Sequence, residues 1–150
     1  GYKMSTLQYI EDNHVSNIIF EWEDDCLSLP LFGHYDNSRF YETMCAAHSL
    51  INNQKQTYWT RIIEITEEAH VSPESAEEIA MQFAAFFLWA ERKGCYASAV
   101  VIPESQLPVF SLFASLSKNL HNGVRLFFDK EIAAQWLSIQ RQKHRKNKMH

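Results

Sequence analysis

The side chains best suited to binding or catalysis lie between a predicted strand and a predicted helix. Glu64, Glu67 and Glu68 come at the end of a segment rich in β-branched and aromatic residues, and His70 follows them. Open α/β sheets bind ligands where strands end, so Glu67, Glu68, His70 and Ser72 are predicted to form a binding loop. Two simpler explanations compete with this one. A loop histidine without a partner is plain surface, and carboxylates before a helix favour its dipole.

The sequence lacks the turns and ligand clusters that most catalytic sites require. Its four glycines, at 1, 33, 94 and 123, form neither G-x-G-x-x-G nor G-x-x-x-x-G-K-[ST], and no serine lies in a G-x-S-x-G elbow. The histidines and cysteines show no spacing typical of a metal site. We therefore predict a non-enzymatic protein with no metal and no cofactor. An enzyme that uses His70 with the nearby glutamates is the rival hypothesis.

Composition is typical of one globular domain. The chain has 150 residues, of which 46% are hydrophobic and 21% charged. Cys26, Cys45 and Cys95 are odd in number and lack C-x-x-C spacing, which favours reduced thiols in a cytoplasmic protein. The longest apolar run, residues 83–90, is much shorter than the roughly 20 residues of a membrane-spanning helix. Neither a transmembrane segment nor a secretory signal is predicted.

Positive charge is concentrated at the C-terminal end. The last ten residues hold five basic side chains and no acid, whereas the other 140 hold nine basic and eighteen acidic side chains. An acidic body repels DNA, so the fold itself is not expected to bind nucleic acid. Residues 141–150 are predicted to form a solvated basic tail. Contact of this tail with phosphates or anionic lipid is the alternative.

Alternating apolar residues predict an opening hairpin. Residues 18–22 and 26–32 alternate on either side of two aspartates, with the period of two that a half-buried strand shows. Pro30 cannot donate to a strand ladder, which places its strand at an edge or a bulge. Residues 1–16 show no firm period and are left as an unassigned lead.

Strands and helices alternate in the rest of the sequence. Segments rich in β-branched and aromatic residues predict three further strands, at 58–65, 96–102 and 124–128. Apolar residues at helical spacing predict four helices. Start signals lie at one of Asp36, Asn37 and Ser38, at Ser72 and at Asp129, and another stripe covers residues 109–120. The order β-β-α-β-α-β-α-β-α predicts one α/β domain with a mixed sheet of about five strands and right-handed crossovers.

The predicted helix over residues 73–93 is apolar on two sides. One side forms a core stripe rich in phenylalanine, and the opposite side carries Met81, Ala85 and Leu88 with Trp89 beside them. A helix that is apolar all round is buried on both sides or binds something. A neighbouring segment of the chain, a second copy in a homodimer and an apolar ligand are the three candidates to cover it.

Three stretches carry a resemblance to a known family. The hairpin, the helix after residues 31–35 (LFGHY) and the ending at residues 124–137 (VRLFFDKEIAAQWL) resemble the SpoIIAA-like branch of the STAS superfamily. Its members are small bacterial proteins related to anti-sigma-factor antagonists. The resemblance covers residues 17–140. It implies a mixed sheet with helices mainly on one face, and binding of a protein or a small ligand rather than catalysis.

The phosphorylation motif of that family is not matched here. Phosphoswitch antagonists of this family carry a motif similar to Asp-Leu-Ser at a strand end. A short loop later they carry Asp-Ser, whose serine is phosphorylated at a helix N-terminus. In this sequence the strand end is Glu64-Ile65-Thr66, and Pro73 stands at the position of that serine. A shifted alignment makes Ser72 or Ser75 the phospho-acceptor, which a helix N-terminus would favour. Ser72 as a plain helix cap is the competing explanation.

These observations together predict a bacterial, cytoplasmic, non-enzymatic module that works by contacting a protein partner or itself. Met81, Ala85, Leu88 and Trp89 are the expected homodimer contact. The alternative is a carrier or sensor of a small apolar, lipid-like ligand. Some STAS-like sequences also resemble CRAL-TRIO lipid-binding domains, and a phenylalanine-rich helix is suited to lining a cavity.

Overall fold

The computed structural model describes residues 2–11, 14–117 and 123–148, with side chains from residue 20 to 115 and again from residue 123. The strands are β1 (Tyr2–Glu11), β2 (His14–Glu23), β3 (Cys26–Tyr35), β4 (Trp59–Val71), β5 (Cys95–Val101) and β6 (Val124–Phe127). The helices are α1 (Asn37–Asn53), α2 (Ala76–Arg92), α3 (Leu107–Ser117) and α4 (Lys130–Lys148). Among these described helices, none has both the length and the apolar composition needed to cross a membrane.

The strands form one mixed sheet whose spatial order follows the chain, from β1 to β6. The pairs β1–β2 and β2–β3 are antiparallel, and β3 to β6 are parallel. The predicted fold class is confirmed, with one strand more than expected. That strand, β1, comes from the unassigned lead and pairs along the whole of β2. Residues 1, 12 and 13 of the lead lie outside the described residues.

Right-handed crossovers explain where the helices lie. Strands β3 to β6 follow one another in one direction across the sheet, so successive right-handed crossovers put α1, α2 and α3 on the same face. Their apolar residues and that face of the sheet form the main core. After the last strand, α4 returns over the other face, where Ala133 and Leu137 pack with Ile62 and Phe127. The helices therefore lie mainly on one face, as predicted.

Two of the predicted helix starts are capped by aspartate. The Asp36 carboxylate accepts a hydrogen bond from the backbone N–H of Arg39 at 2.8 Å. The Asp129 carboxylate accepts from the backbone N–H groups of Glu131 and Ile132 at 2.7 and 3.0 Å. These N–H groups have no partner within their helix, so each cap stabilises a helix start. The last residues of the stripe predicted over 109–120 lie outside the described residues.

Pro30 lies beyond the segment in which β3 has neighbours on both sides. In the described sheet, β2 pairs with β3 only as far as Ser28, whereas β3 continues alongside β4 to Tyr35. The missing N–H of Pro30 therefore interrupts no ladder with β2. A register shift follows between Leu31 and Gly33. The prediction of an edge strand was wrong, because β3 lies between β2 and β4, whereas the bulge lies directly after Pro30.

No break in secondary structure separates the basic C-terminal residues from the helix that precedes them. α4 continues to Lys148, so the separate tail predicted from residue 141 consists largely of the last turns of this helix. Arg141 joins these turns to the body of the domain by donating to Asp25 at 3.0 Å, and His144 stacks on Tyr96 with ring centroids 3.9 Å apart. The basic run does not end the helix, because cations near a helix C-terminus stabilise its dipole.

Gly94 should be intolerant of any side chain. It joins α2 to β5 with φ +102°, and a Cβ atom there would overlap the backbone carbonyl oxygen of Thr57. Gly94→Ala should lower the free energy of unfolding by about 3 kcal/mol, because backbone strain and a clash with rigid backbone add together. Urea denaturation measures the loss.

Gly33→Ala is the matched control for this substitution. Gly33 also has a positive φ, +86°, but a Cβ atom there meets only the flexible end of the Arg39 side chain, at 3.0 Å. It should destabilise the fold by about 1 kcal/mol, the strain contribution alone. Equal losses for the two variants would refute the part assigned to the Thr57 carbonyl.

Candidate functional site

The residues predicted as a binding loop lie mostly in a strand. β4 continues past Glu67 and Glu68, because β3 pairs with it again beyond the register shift, with His34 opposite His70. Glu67, Glu68 and His70 are exposed on this strand end, and Ser72 follows it. The expectation of a loop was wrong, since the pairing with β3 extends beyond the β-rich composition that marked the strand.

His70 has a neighbour that the sequence did not indicate. The rings of His34 and His70 stack on adjacent strands with centroids 4.8 Å apart, and both side chains are exposed. Two histidines are fewer ligands than a zinc site uses. Within the ranges that the structure describes, no three His, Cys, Asp or Glu side chains come together as metal ligands would. The pair is therefore a surface contact.

Ser72 and Ser75 enclose the short 3-10 turn before α2. Neither serine side chain caps a helix, so the expected side-chain cap at Ser72 does not form. The Ser72 backbone bonds instead, with its N–H donating to the Tyr35 carbonyl at 3.0 Å and its carbonyl accepting from Ser75 at 2.9 Å. Ser75 is buried. Of the two predicted phospho-acceptors, only Ser72 is within reach of a modifying enzyme.

The outer face of α2 carries most of the patch predicted for a dimer or a ligand. Met81 and Leu88 are 58% and 47% exposed, and Ala85 between them is exposed as well. Trp89 differs from these three, because its ring is half-buried and stacks on His48 of α1 with centroids 3.8 Å apart. The structure thus brings together three of the four predicted residues and places Trp89 in the contact between α1 and α2.

This exposed face of α2 is flanked by one charged residue at each end. The stripe consists of Glu78, Met81, Ala85, Leu88 and Arg92, all exposed, and we call it the α2 seam. Its members are separated by three, four, three and four residues, the spacing by which one helix contacts another in a coiled coil. An acid begins the seam, a base ends it and the smallest side chain lies in the middle.

A guanidinium group is buried beneath α2. Arg61 of β4 has no exposed surface, and its guanidinium carbon lies 4.6 Å from the ring centroid of Phe86, 5.0 Å from that of Phe87 and 5.9 Å from that of Trp59. Its Nε and Nη2 donate to the Ser98 hydroxyl at 3.3 and 3.2 Å, and its Nη1 has no partner among the described residues. Burial lowers the pKa of Arg61 to about 10.

A groove of about 920 Å³ lies on the opposite face of the sheet. It exists because α4 packs on β4, β5 and β6 and leaves that face of β2 and β3 uncovered. The apolar lining comes from Ile62, Ala134 and Leu137. Charged side chains line the two sides: Glu21 and Glu23 on β2, and Lys130, Arg141 and Arg145 on α4.

Asp25 organises one end of this groove. Its carboxylate accepts hydrogen bonds from the Tyr96 hydroxyl and from Arg141 Nε, each at 3.0 Å. Burial, together with the hydrogen bond and the charge of Asp25, raises the pKa of Tyr96, so the hydroxyl keeps the proton that it donates. At the other end, Lys130 lies 3.6 Å from Glu64. Sequence reasoning missed the groove, since its residues come from separate elements and share no local motif.

A comparison with solved structures bears on the fold. The crystal structure of an uncharacterized protein of the DUF3478 family, with a SpoIIAA-like fold, from Shewanella loihica PV-4 matches at a TM-score of 0.50. The chain described here has a SpoIIAA-like fold. The match covers 91% of this chain and 94% of that chain at 14% identity, so the likeness concerns the fold alone. No family model matches the chain, and no curated protein is similar to it in sequence.

The folded state should lose stability as the pH falls below about 6.5. Burial and the positive charge of Arg61 lower the pKa of His48, so the unfolded chain takes up a proton that the folded chain resists. His48→Gln should reduce this pH dependence between about pH 7 and pH 5. The pH dependence of the free energy of unfolding that remains in this variant includes a contribution from His144, whose pKa is lowered by burial and by Lys148. Urea unfolding at a series of pH values gives the slope.

Ser49→Ala serves as the control, because Ser49 is an exposed neighbour of His48 on α1. This variant should keep the slope of the unsubstituted protein. The explanation fails if His48→Gln loses stability on acidification as steeply as the unsubstituted protein does.

Proposed function

We propose that this protein is a non-enzymatic interaction module that pairs with a second copy of itself through the α2 seam. The observation that carries the proposal is the exposed stripe of coiled-coil spacing, whose two large apolar side chains, Met81 and Leu88, face solvent in the single chain. Removing such a side chain from water contributes about 1–2 kcal/mol, which is the driving force for association.

The charges of the seam determine the orientation of the pair. Ala85 is the midpoint, with Glu78 seven residues before it and Arg92 seven residues after it. In an antiparallel pair with a two-fold axis at Ala85, Glu78 of each copy meets Arg92 of the other, and Met81 meets Leu88. A parallel pair would bring like charges together, which is unfavourable. The small side chain of Ala85 lets the two helices approach closely at the crossing.

The carrier of an apolar ligand is the less favoured alternative. One pocket between the sheet and α1 to α3, lined by Phe40, Phe83 and Phe113 among others, has a volume of about 10 Å³, which is the room that one water molecule needs. Phe83, Phe86 and Phe87 fill this region, and each is at most 3% exposed. The phenylalanine-rich side of α2 is thus packed core, which disfavours a lipid-sized cavity beside it.

A cytoplasmic location and a non-enzymatic role complete the proposal. Cys26, Cys45 and Cys95 are free thiols, which suits a reducing compartment. The absence of phosphate-cradling and nucleophile motifs from the sequence supports a role that depends on contacts rather than on chemistry.

Charge reversal tests the antiparallel arrangement. Glu78→Arg and Arg92→Glu should each weaken the dimer by about tenfold or more, because each creates two pairs of like charges across the two-fold axis. The double variant Glu78→Arg/Arg92→Glu should restore association, since the charges then complement each other again. Sedimentation velocity over a concentration series measures the dissociation constant, and circular dichroism verifies folding.

Leu88→Glu should abolish the dimer, and Ile139→Glu provides the matched control. Ile139 is 49% exposed on α4, on the other side of the sheet from α2, so this variant should associate normally. The proposal is refuted if the unsubstituted protein is monomeric at every concentration. Loss of the dimer in Ile139→Glu alone would place the interface on α4 instead.

A further inference from the structure

We propose that the groove between α4 and the β2–β3 side of the sheet binds a small amphoteric molecule. Such a ligand has an anionic group held by Arg141 and Arg145, a protonated amine facing Glu21 and Glu23, and an aliphatic chain between them. The groove lies on the face of the sheet opposite the α2 seam, so this site is independent of the proposed dimer.

The size and the apolar lining suit a small molecule. Sites for small ligands commonly measure about 300–1,000 Å³, and the groove measures about 920 Å³. Ala134 of α4 is exposed in the groove, and the edges of the buried side chains of Ile62 and Leu137 form its floor, so a narrow aliphatic strip lies between the charged sides. Methylene groups lying on this surface would be removed from water.

The anion-binding end is built by two guanidinium groups one helical turn apart. Asp25 accepts from Arg141 Nε at 3.0 Å, which orients this guanidinium and leaves its two terminal NH₂ groups without a hydrogen bond among the described residues. Arg145 follows four residues later on the same side of α4 and makes no ion pair within the described part of the chain. Two guanidinium groups in this arrangement can donate several charge-assisted hydrogen bonds to a carboxylate or a phosphate.

The amine-binding side is the exposed face of β2. Glu21 and Glu23 are two residues apart, so both side chains lie on the side of the sheet that faces the groove. Neither carboxylate pairs with a described cation, and Glu21 is half-buried. A protonated amine would satisfy both. A ligand with an anionic group alone would be repelled by these glutamates, and one with an amine alone would be repelled by the arginines.

Linear ω-amino acids, from aminobutyrate to aminooctanoate, are the probes that test this assignment. Each is compared with the alkylamine and the alkylcarboxylate of the same length by titration into isotope-labelled protein, with chemical shifts followed by NMR. One chain length should bind at least about tenfold more tightly than both singly charged analogues, since each lost charge-assisted hydrogen bond weakens binding by that order. The shifts should centre on Ile62, Leu137 and Arg145.

Matched variants separate the two ends of the ligand. Arg145→Gln should abolish the advantage of the amino acid over the alkylamine, and Glu21→Gln/Glu23→Gln its advantage over the alkylcarboxylate. Lys143→Gln removes an exposed cation of α4 that does not line the groove, so it should bind like the unsubstituted protein. Equal binding of all three probe classes, shifts outside the groove or an equal effect of Lys143→Gln would each overturn the assignment.

The same titration on Leu88→Glu distinguishes the two proposals. This variant is expected to be monomeric and to bind the ω-amino acid unchanged, because the groove draws no residue from α2. Binding that disappears with the dimer would refute the independence of the groove.

Discussion

The buried charge of Arg61 is the constraint that orients the helical side of this fold. A guanidinium group without exposed surface is stable only where other groups replace its water. Here the rings of Trp59, Phe86 and Phe87 surround the charge, and the Ser98 hydroxyl accepts two of its hydrogen bonds. Because two consecutive phenylalanines of α2 face Arg61, the rotation of the helix about its axis is set. The α2 seam faces outward as a direct result.

The groove follows from the topology of the sheet. The three crossovers that join β3 to β6 place α1, α2 and α3 on one face, which leaves α4 to cover the other. One helix is too narrow to cover the face of six strands, so this face of β2 and β3 remains uncovered beside α4. The sequence of β2 matches this arrangement, because Phe20 and Trp22 are buried while Glu21 and Glu23 line the groove. Both proposed binding surfaces therefore arise from how the two faces are covered.

Local signals were sufficient to predict most elements, and long-range pairing decided the rest. Asp36 and Asp129 mark helix starts in the sequence, because a capping side chain bonds a backbone N–H group within three residues. In contrast, β1 is defined by its pairing with β2, and the strand end that includes His70 by its pairing with β3. The apolar patch of α2 was readable from helical periodicity. The groove was not, since Glu21 and Arg145 become neighbours only in the folded chain.

The hydrogen bond between Arg141 and Asp25 joins residues 116 positions apart. Contacts across so long a loop form late, because the closure entropy must be overcome before they contribute. During translation the β2–β3 hairpin emerges early, yet its acidic side has no basic counterpart until α4 has been synthesised. The groove is therefore complete only after α4 has been synthesised and has packed on the sheet.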